Sequence, residues 1–233
     1  MSKVIFSGLE SSGKSLQLAM LAGELAYRNS DWKKKSGVTR SIASNLRFSK
    51  EFFNFVTIEL GIPIIYWDDI HELIKLEQCD IFIDEVGNYF DSRMWTDLSL
   101  DARRWLTQGA KSGIEIYGTA QDFAQVDKAF RRLVNELIHI TKLMGSRRPS
   151  NTKPPVNYIW GICMKKSLDP MGYDEEKKQF QSTGLPSFFF ISKKYCQIFD
   201  TTQKILRSAL MPYKHQQRIC ELDNCGFVKI THA

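Results

Sequence analysis

An α/β fold on a mainly parallel sheet is what this sequence predicts, and three observations carry that expectation. Near the N-terminus "KVIF" is a short buried-strand run that leads through "SGLESSGKS" directly into a helical pattern. Farther on, "CDIFIDEVGNYF" holds a second apolar run that ends in two adjacent carboxylates. Between and beyond these two, strand and helix patterns alternate, as they do where helices cover both faces of a parallel sheet.

The elements come in order along the chain. Residues 3 to 7 read as a buried strand, and residues 14 to 28 place Leu16, Ala19, Met20, Gly23 and Ala26 on one helical face. The polar, basic "NSDWKKKSG" reads as a separator before a second strand within "VTRSIASNLRF". A helix is expected over "KEFFNFVTIEL", ending near Gly61, then a strand in "IPIIYWDD" and a short helix in "DIHELIKLEQ" with Asp68 or Asp69 as its N-cap. Residues 98 to 111 predict a helix with Leu98, Ala102, Trp105 and Leu106 inward; "GIEIYGTAQ" predicts a strand, and "AQVDKAFRRLV" a helix. From Ser146, "SRRPSNTKPP" is a basic, proline-containing loop, and the rest of the chain looks β-rich and less regular. The expected division is a core over residues 1–145 and a C-terminal elaboration over 146–233 that completes or decorates it.

With 233 residues the chain is long enough for one α/β domain and a modest appendage. A formal net charge of +6 permits contact with a polyanion without requiring it. Cys79, Cys163, Cys196, Cys220 and Cys225 are odd in number, and no apolar signal region follows the N-terminus, so a reducing cytoplasm is the expected compartment. The longest apolar stretches, such as "SFFFIS", fall short of the roughly 18 to 20 residues that cross a bilayer. The chain is therefore expected to carry no membrane span of its own.

Gly8, four residues (Leu9, Glu10, Ser11, Ser12), then Gly13, Lys14 and Ser15 match the P-loop pattern, with the strand before and helix after that it requires. Such a loop turns its backbone N–H groups toward phosphate oxygens at a helix N-terminus. Lys14 is expected on the β- and γ-phosphates of ATP, and the Ser15 hydroxyl on Mg²⁺. The second metal-side carboxylate is expected at Asp84, and Glu85 directly after it is expected to polarise the attacking water. A glutamate there favours hydrolysis over the phosphate transfer of a small-molecule or nucleotide kinase.

Gln121, at the end of "IEIYGTAQ", is the candidate for hydrogen-bonding the γ-phosphate or its attacking water, with Thr119 a weaker candidate for the same task. Arg131 and Arg132, or alternatively Arg103 and Arg104, are candidates to reach a neighbouring subunit's nucleotide. Lys33 to Lys35, Arg147, Arg148 and Lys153 are read as loop residues able to track a phosphate backbone. Cys220 and Cys225, with His215 and His232 on either side, have a spacing wider than the usual zinc knuckle. Cys79 is expected to pack beside the second apolar strand.

Taken together, "GLESSGKS", "ASNL", "IFIDEVGNYFDSR", "LTQGAKSGIEIYGTAQDFAQVDKAFRR" and "YCQIFDTTQKI" make the chain resemble the zonular occludens toxin-like ATPases, relatives of the FtsK/HerA-type motors that include viral genome-packaging ATPases. The resemblance implies a RecA-like sheet in which the sensor strand separates the P-loop strand from the carboxylate strand. It further implies a homo-oligomeric ring that hydrolyses ATP to move DNA or assemble a virion, with a capsid or assembly protein among its partners. Host cytoplasm and association with the virion are the locations that go with it. The same likeness leaves open a phage assembly or secretion ATPase working with a membrane-bound partner. Filamentous-phage members usually carry a membrane-spanning segment after the motor, and none is visible here.

Overall fold

The computed structural model describes residues 2–10, 12–91, 98–109, 111–145, 160–177 and 179–192. Its centre is a nine-stranded sheet in the order β3-β2-β4-β5-β1-β6-β7-β8, with β9 also paired to β7. The strands are β1 Lys3–Ser7, β2 Ser41–Ser44, β3 Ile64–Tyr66, β4 Cys79–Ile83, β5 Glu115–Ala120, β6 Glu136–Gly145, β7 Trp160–Asp174, β8 Gln179–Ser182 and β9 Ser187–Ser192. Strands β1 to β6 pair parallel to one another, whereas β7 pairs antiparallel with β6, β8 and β9. The expected mainly parallel α/β architecture is therefore present, and β5 lies between β1 and β4 as the family resemblance implies.

Helices cover both faces of the parallel part, which is why β4 is buried at every residue rather than at alternate ones. On one face Phe6, Ile42, Phe82 and Tyr117 pack against Leu18, Ala19, Ala22 and Ala26 of helix α1, Lys14–Ser36. Helix α2, Lys50–Asn54, and the π-helical turn Phe55–Glu59 that continues it add Phe52, Phe53 and Phe55 to this side. On the other face Ile5, Ile81, Ile83 and Ile116 meet α3, Ile70–Leu73, α4, Gly87–Phe90, α5, Leu100–Gln108, and α6, Lys128–Arg131. The inward set expected of α5, Leu98, Ala102, Trp105 and Leu106, is buried there. Asp69 rather than Asp68 caps α3, in a capping box with Glu72.

Two sequence expectations are corrected. Lys33 to Lys35 are not loop residues: α1 runs on to Ser36, and Gly37 closes it in the left-handed conformation. The extension holds because its polar residues have partners inside the protein; Asn29 donates to Asp80, and Ser30 to the Leu60 carbonyl. The three lysines then occupy the helix's last turn, where the macrodipole favours cations.

The single helix expected over "AQVDKAFRRLV" is broken. A 3₁₀ turn, Phe123–Gln125, is followed by Val126 in an extended bridge to Asp91, and α6 starts afresh with Asp127 accepting from the Ala129 amide. Pairing with Asp91 and two aspartate caps, Asp122 and Asp127, outweigh the continuous helical spacing.

Candidate active site

The carboxyl ends of β1, β4 and β5 converge, and the residues just beyond them form the site. Gly8 has φ +146°, and a Cβ there would lie 2.4 Å from the Ile140 carbonyl oxygen, so the chain can leave β1 for the loop only with glycine. Gly13, at φ +98°, is the N-cap from which α1 begins. Lys14 is folded back over the loop, its Nζ donating to the Gly8 and Leu9 carbonyls at 2.8 Å each. Burial lowers its pKa, while Glu85, Asp84 and Glu10 pull it back up. The Ser12 hydroxyl is buried with no hydrogen-bond partner among the described residues. Leu9 and Glu10 are exposed, and Ser11 lies outside the described residues.

The predicted metal-side pair is in contact: Ser15 Oγ donates to Asp84 Oδ1 at 2.8 Å. A hydroxyl and a carboxylate are the hard oxygen donors that suit Mg²⁺, and the orphaned Ser12 hydroxyl within the loop suits a phosphate oxygen, so these residues fit both ATP and its metal.

Glu85 stands in the left-handed region at φ +60°, which costs a non-glycine residue roughly 1–2 kcal/mol. Hydrogen bonds hold it there. Its N–H donates to Thr119 Oγ1 at 2.8 Å, and its Oε1 accepts from the Gln121 N–H at 3.2 Å. Burial raises its pKa and Asp84 adds to the rise, against the Gln121 hydrogen bond and the Lys14 charge.

Several placements differ from the sequence picture or were missing from it. Gln121 does reach Glu85, but through its backbone; Thr119 turns its hydroxyl to Asp84 and Glu85. Asn45, just beyond β2, was not singled out, yet its side chain clamps the Asp84 peptide, accepting from its N–H at 2.7 Å and donating to its carbonyl at 3.0 Å. His139 of β6 shares a hydrogen bond with Ser7 at the loop's base, and burial, with Lys14 and Lys166, keeps its pKa low. The sequence cue to Asn45 is the "ASNL" at the end of a short buried strand, which carries part of the family resemblance.

Arg131 ends α6 with a buried Nε that has no hydrogen-bond partner among the described residues, and Arg132 is exposed at the helix's C-terminal cap; neither hydrogen-bonds Lys14, Asp84 or Glu85 there. In α5, Arg103 donates to the Leu98 carbonyl, and Arg104 pairs with Asp101 on the surface. Cys79 opens β4, and burial pushes its thiol up to about 12. Arg147, Arg148, Lys153, His215, Cys220, Cys225 and His232 lie outside the described residues.

The fold is that of P-loop ATPases. The N-terminal domain of zonular occludens toxin from Neisseria meningitidis superposes with a TM-score of 0.54 and 18% identity, over 85% of this chain and 98% of that one. Lower TM-scores relate the chain to the genome packaging NTPase B204 of Sulfolobus turreted icosahedral virus 2 in complex with ATP-gammaS (0.41, 11% identity, 78% and 97% covered). The flagellar accessory protein FlaH of Methanocaldococcus jannaschii gives 0.42 at 14% identity, with 72% and 78% covered. No family model matches the chain, and no curated protein matches it in sequence. Among the described residues no helix is long and apolar enough to cross a membrane.

Proposed function

We propose that this chain is an ATP-hydrolysing motor that packages or translocates DNA as a homo-oligomeric ring. The observation that carries hydrolysis is the placing of two consecutive carboxylates against the phosphate loop, Asp84 on the Ser15 hydroxyl and Glu85 within the influence of the Lys14 charge. In this reading Lys14, freed from the Gly8 and Leu9 carbonyls, and the amides of the loop bind the phosphates of ATP. Ser15 and Asp84 hold Mg²⁺, which neutralises phosphate charge when bound. Glu85 accepts the proton of the attacking water, and Gln121, tied to Glu85 through its N–H, follows the change in phosphate.

A second carboxylate beside the metal-side one favours hydrolysis over the transfer of a nucleotide kinase, whose nucleophile is a bound substrate and in many cases needs no base for water. DNA as cargo and the ring rest on the family resemblance together with the net charge of +6. An arginine from a neighbouring subunit, Arg131 or Arg132, would make turnover depend on assembly.

The test is steady-state ATP turnover of the purified chain at rising protein concentration, with and without DNA. Specific activity is expected to increase with concentration and again with DNA. Turnover that ignores DNA would shift the reading to an assembly or secretion ATPase with a membrane-bound partner, and transfer of phosphate to an added acceptor would overturn it in favour of a kinase.

A further inference from the structure

Thr119 is the penultimate residue of β5, 1% exposed, and it occupies the one strand that lies between the loop strand and the carboxylate strand. Register sets it opposite Phe6 of β1, while its neighbour Gly118 pairs with Ile83, the last residue of β4. Three hydrogen bonds meet on this one residue. Its hydroxyl donates to Asp84 Oδ1 at 2.8 Å and accepts from the Glu85 N–H at 2.8 Å, and its carbonyl accepts from the Val86 N–H at 2.7 Å. Thus Thr119 grips the side chain of one acid and the backbone of the next.

We propose that Thr119 is a positioning residue for ATP hydrolysis, a strut that sets where Glu85 stands relative to Asp84. The proposal rests on the ATPase reading of the site. Glu85 has an unfavourable φ of +60°, so the direction of its carboxylate, itself held by the Gln121 N–H, depends also on the bond that holds its backbone N–H. The hydroxyl that holds it belongs to a β-branched side chain with few χ1 choices, on a strand buried at nearly every residue. Its single proton is committed to Asp84, which also orients its lone pair toward Glu85. The hydroxyl is thereby engaged away from the phosphate contact that "GTAQ" suggested.

Thr119→Val keeps the volume and removes the hydroxyl, leaving the Glu85 N–H unpartnered. Expected is a fall in kcat of roughly 10–100-fold, the size typical of a supporting contact around a metal site, with KM for ATP unchanged because Lys14 and the loop remain as they are. Thr119→Ser restores the hydroxyl and with it most of kcat, a rescue that packing alone would not produce. Thr119→Ala gives the same loss should the valine variant fold poorly. Wild-type kcat in Thr119→Val, a serine variant as slow as the valine, or a rise in KM at constant kcat would each overturn the strut. Absence of hydrolysis in the wild-type protein would instead overturn the ATPase reading itself, and the strut with it.

Discussion

Glu85→Gln is expected to lower kcat for ATP by roughly 10²–10⁴-fold, the range for removing a general base, while ATP binding persists. The amide preserves the shape of the side chain and still offers an oxygen to the Gln121 N–H, so the loop and the left-handed backbone at Glu85 are undisturbed. It lacks only a basic oxygen for the proton of water. Equilibrium binding of a fluorescent ATP analogue, measured beside turnover, separates the two effects; equal losses in both would point to a structural role.

A pH profile checks the same group independently. Burial and Asp84 raise the Glu85 pKa above the ordinary glutamate value, so as pH falls the wild-type carboxylate gains its proton early and kcat declines at a higher pH than an exposed glutamate would dictate. That acid limb is expected to vanish in Glu85→Gln.

The second large effect lies toward the opposite end of β4. Asp80→Ala is expected to cost about 3–5 kcal/mol of stability, as removal of one partner from a buried ion pair does. Asp80 is fully buried, and its Oδ1 accepts from Arg40 Nε at 2.8 Å and Nη2 at 2.6 Å, its Oδ2 from Asn29 Nδ2 at 2.7 Å. Burial acts to lower the Arg40 pKa, but the hydrogen bond and charge of Asp80, with Glu115, more than offset it and leave it raised. Without Asp80 the guanidinium stays half-buried with only the Gly113 and Cys79 carbonyls and the more distant Glu115. Since a domain's total stability is about 5–15 kcal/mol, urea unfolding should show a large drop in midpoint. Asp80→Asn, which keeps the side chain's shape and one acceptor oxygen for Arg40, should lose less; an unchanged midpoint in Asp80→Ala would refute the assignment.

Local spacing made part of this architecture legible in the sequence. Strands β1, β4 and β5 are buried on both faces and so show largely apolar runs, and the loop motif is contiguous from Gly8 to Ser15. Strand β6, by contrast, mixes Glu136, His139, Thr141 and Lys142 with its apolar residues and gives no clean period. The far end of α1 escaped because Asn29 and Ser30 look like surface residues until Asp80 and Leu60 supply partners from elsewhere in the chain. Asn45 and Thr119 act on Asp84 and Glu85 across strand pairings, at separations of 39 and 34–35 residues, so their roles exist only once register is known.

Beneath the phosphate loop, a Cβ on Gly13 would touch Ile191, Cys163 and Phe189, and Cys163 Sγ lies 3.4 Å from the Ser12 carbonyl oxygen, 151 positions away in sequence. During synthesis the loop therefore leaves the ribosome long before the strands that floor it. Contacts so distant in sequence form late in folding. A nucleotide that binds only the floored loop would stabilise the finished protein alone, by mass action, and would leave unfinished chains to fend for themselves. A nascent chain stopped at residue 145 would hold every residue of the motif and lack the surface on which it rests.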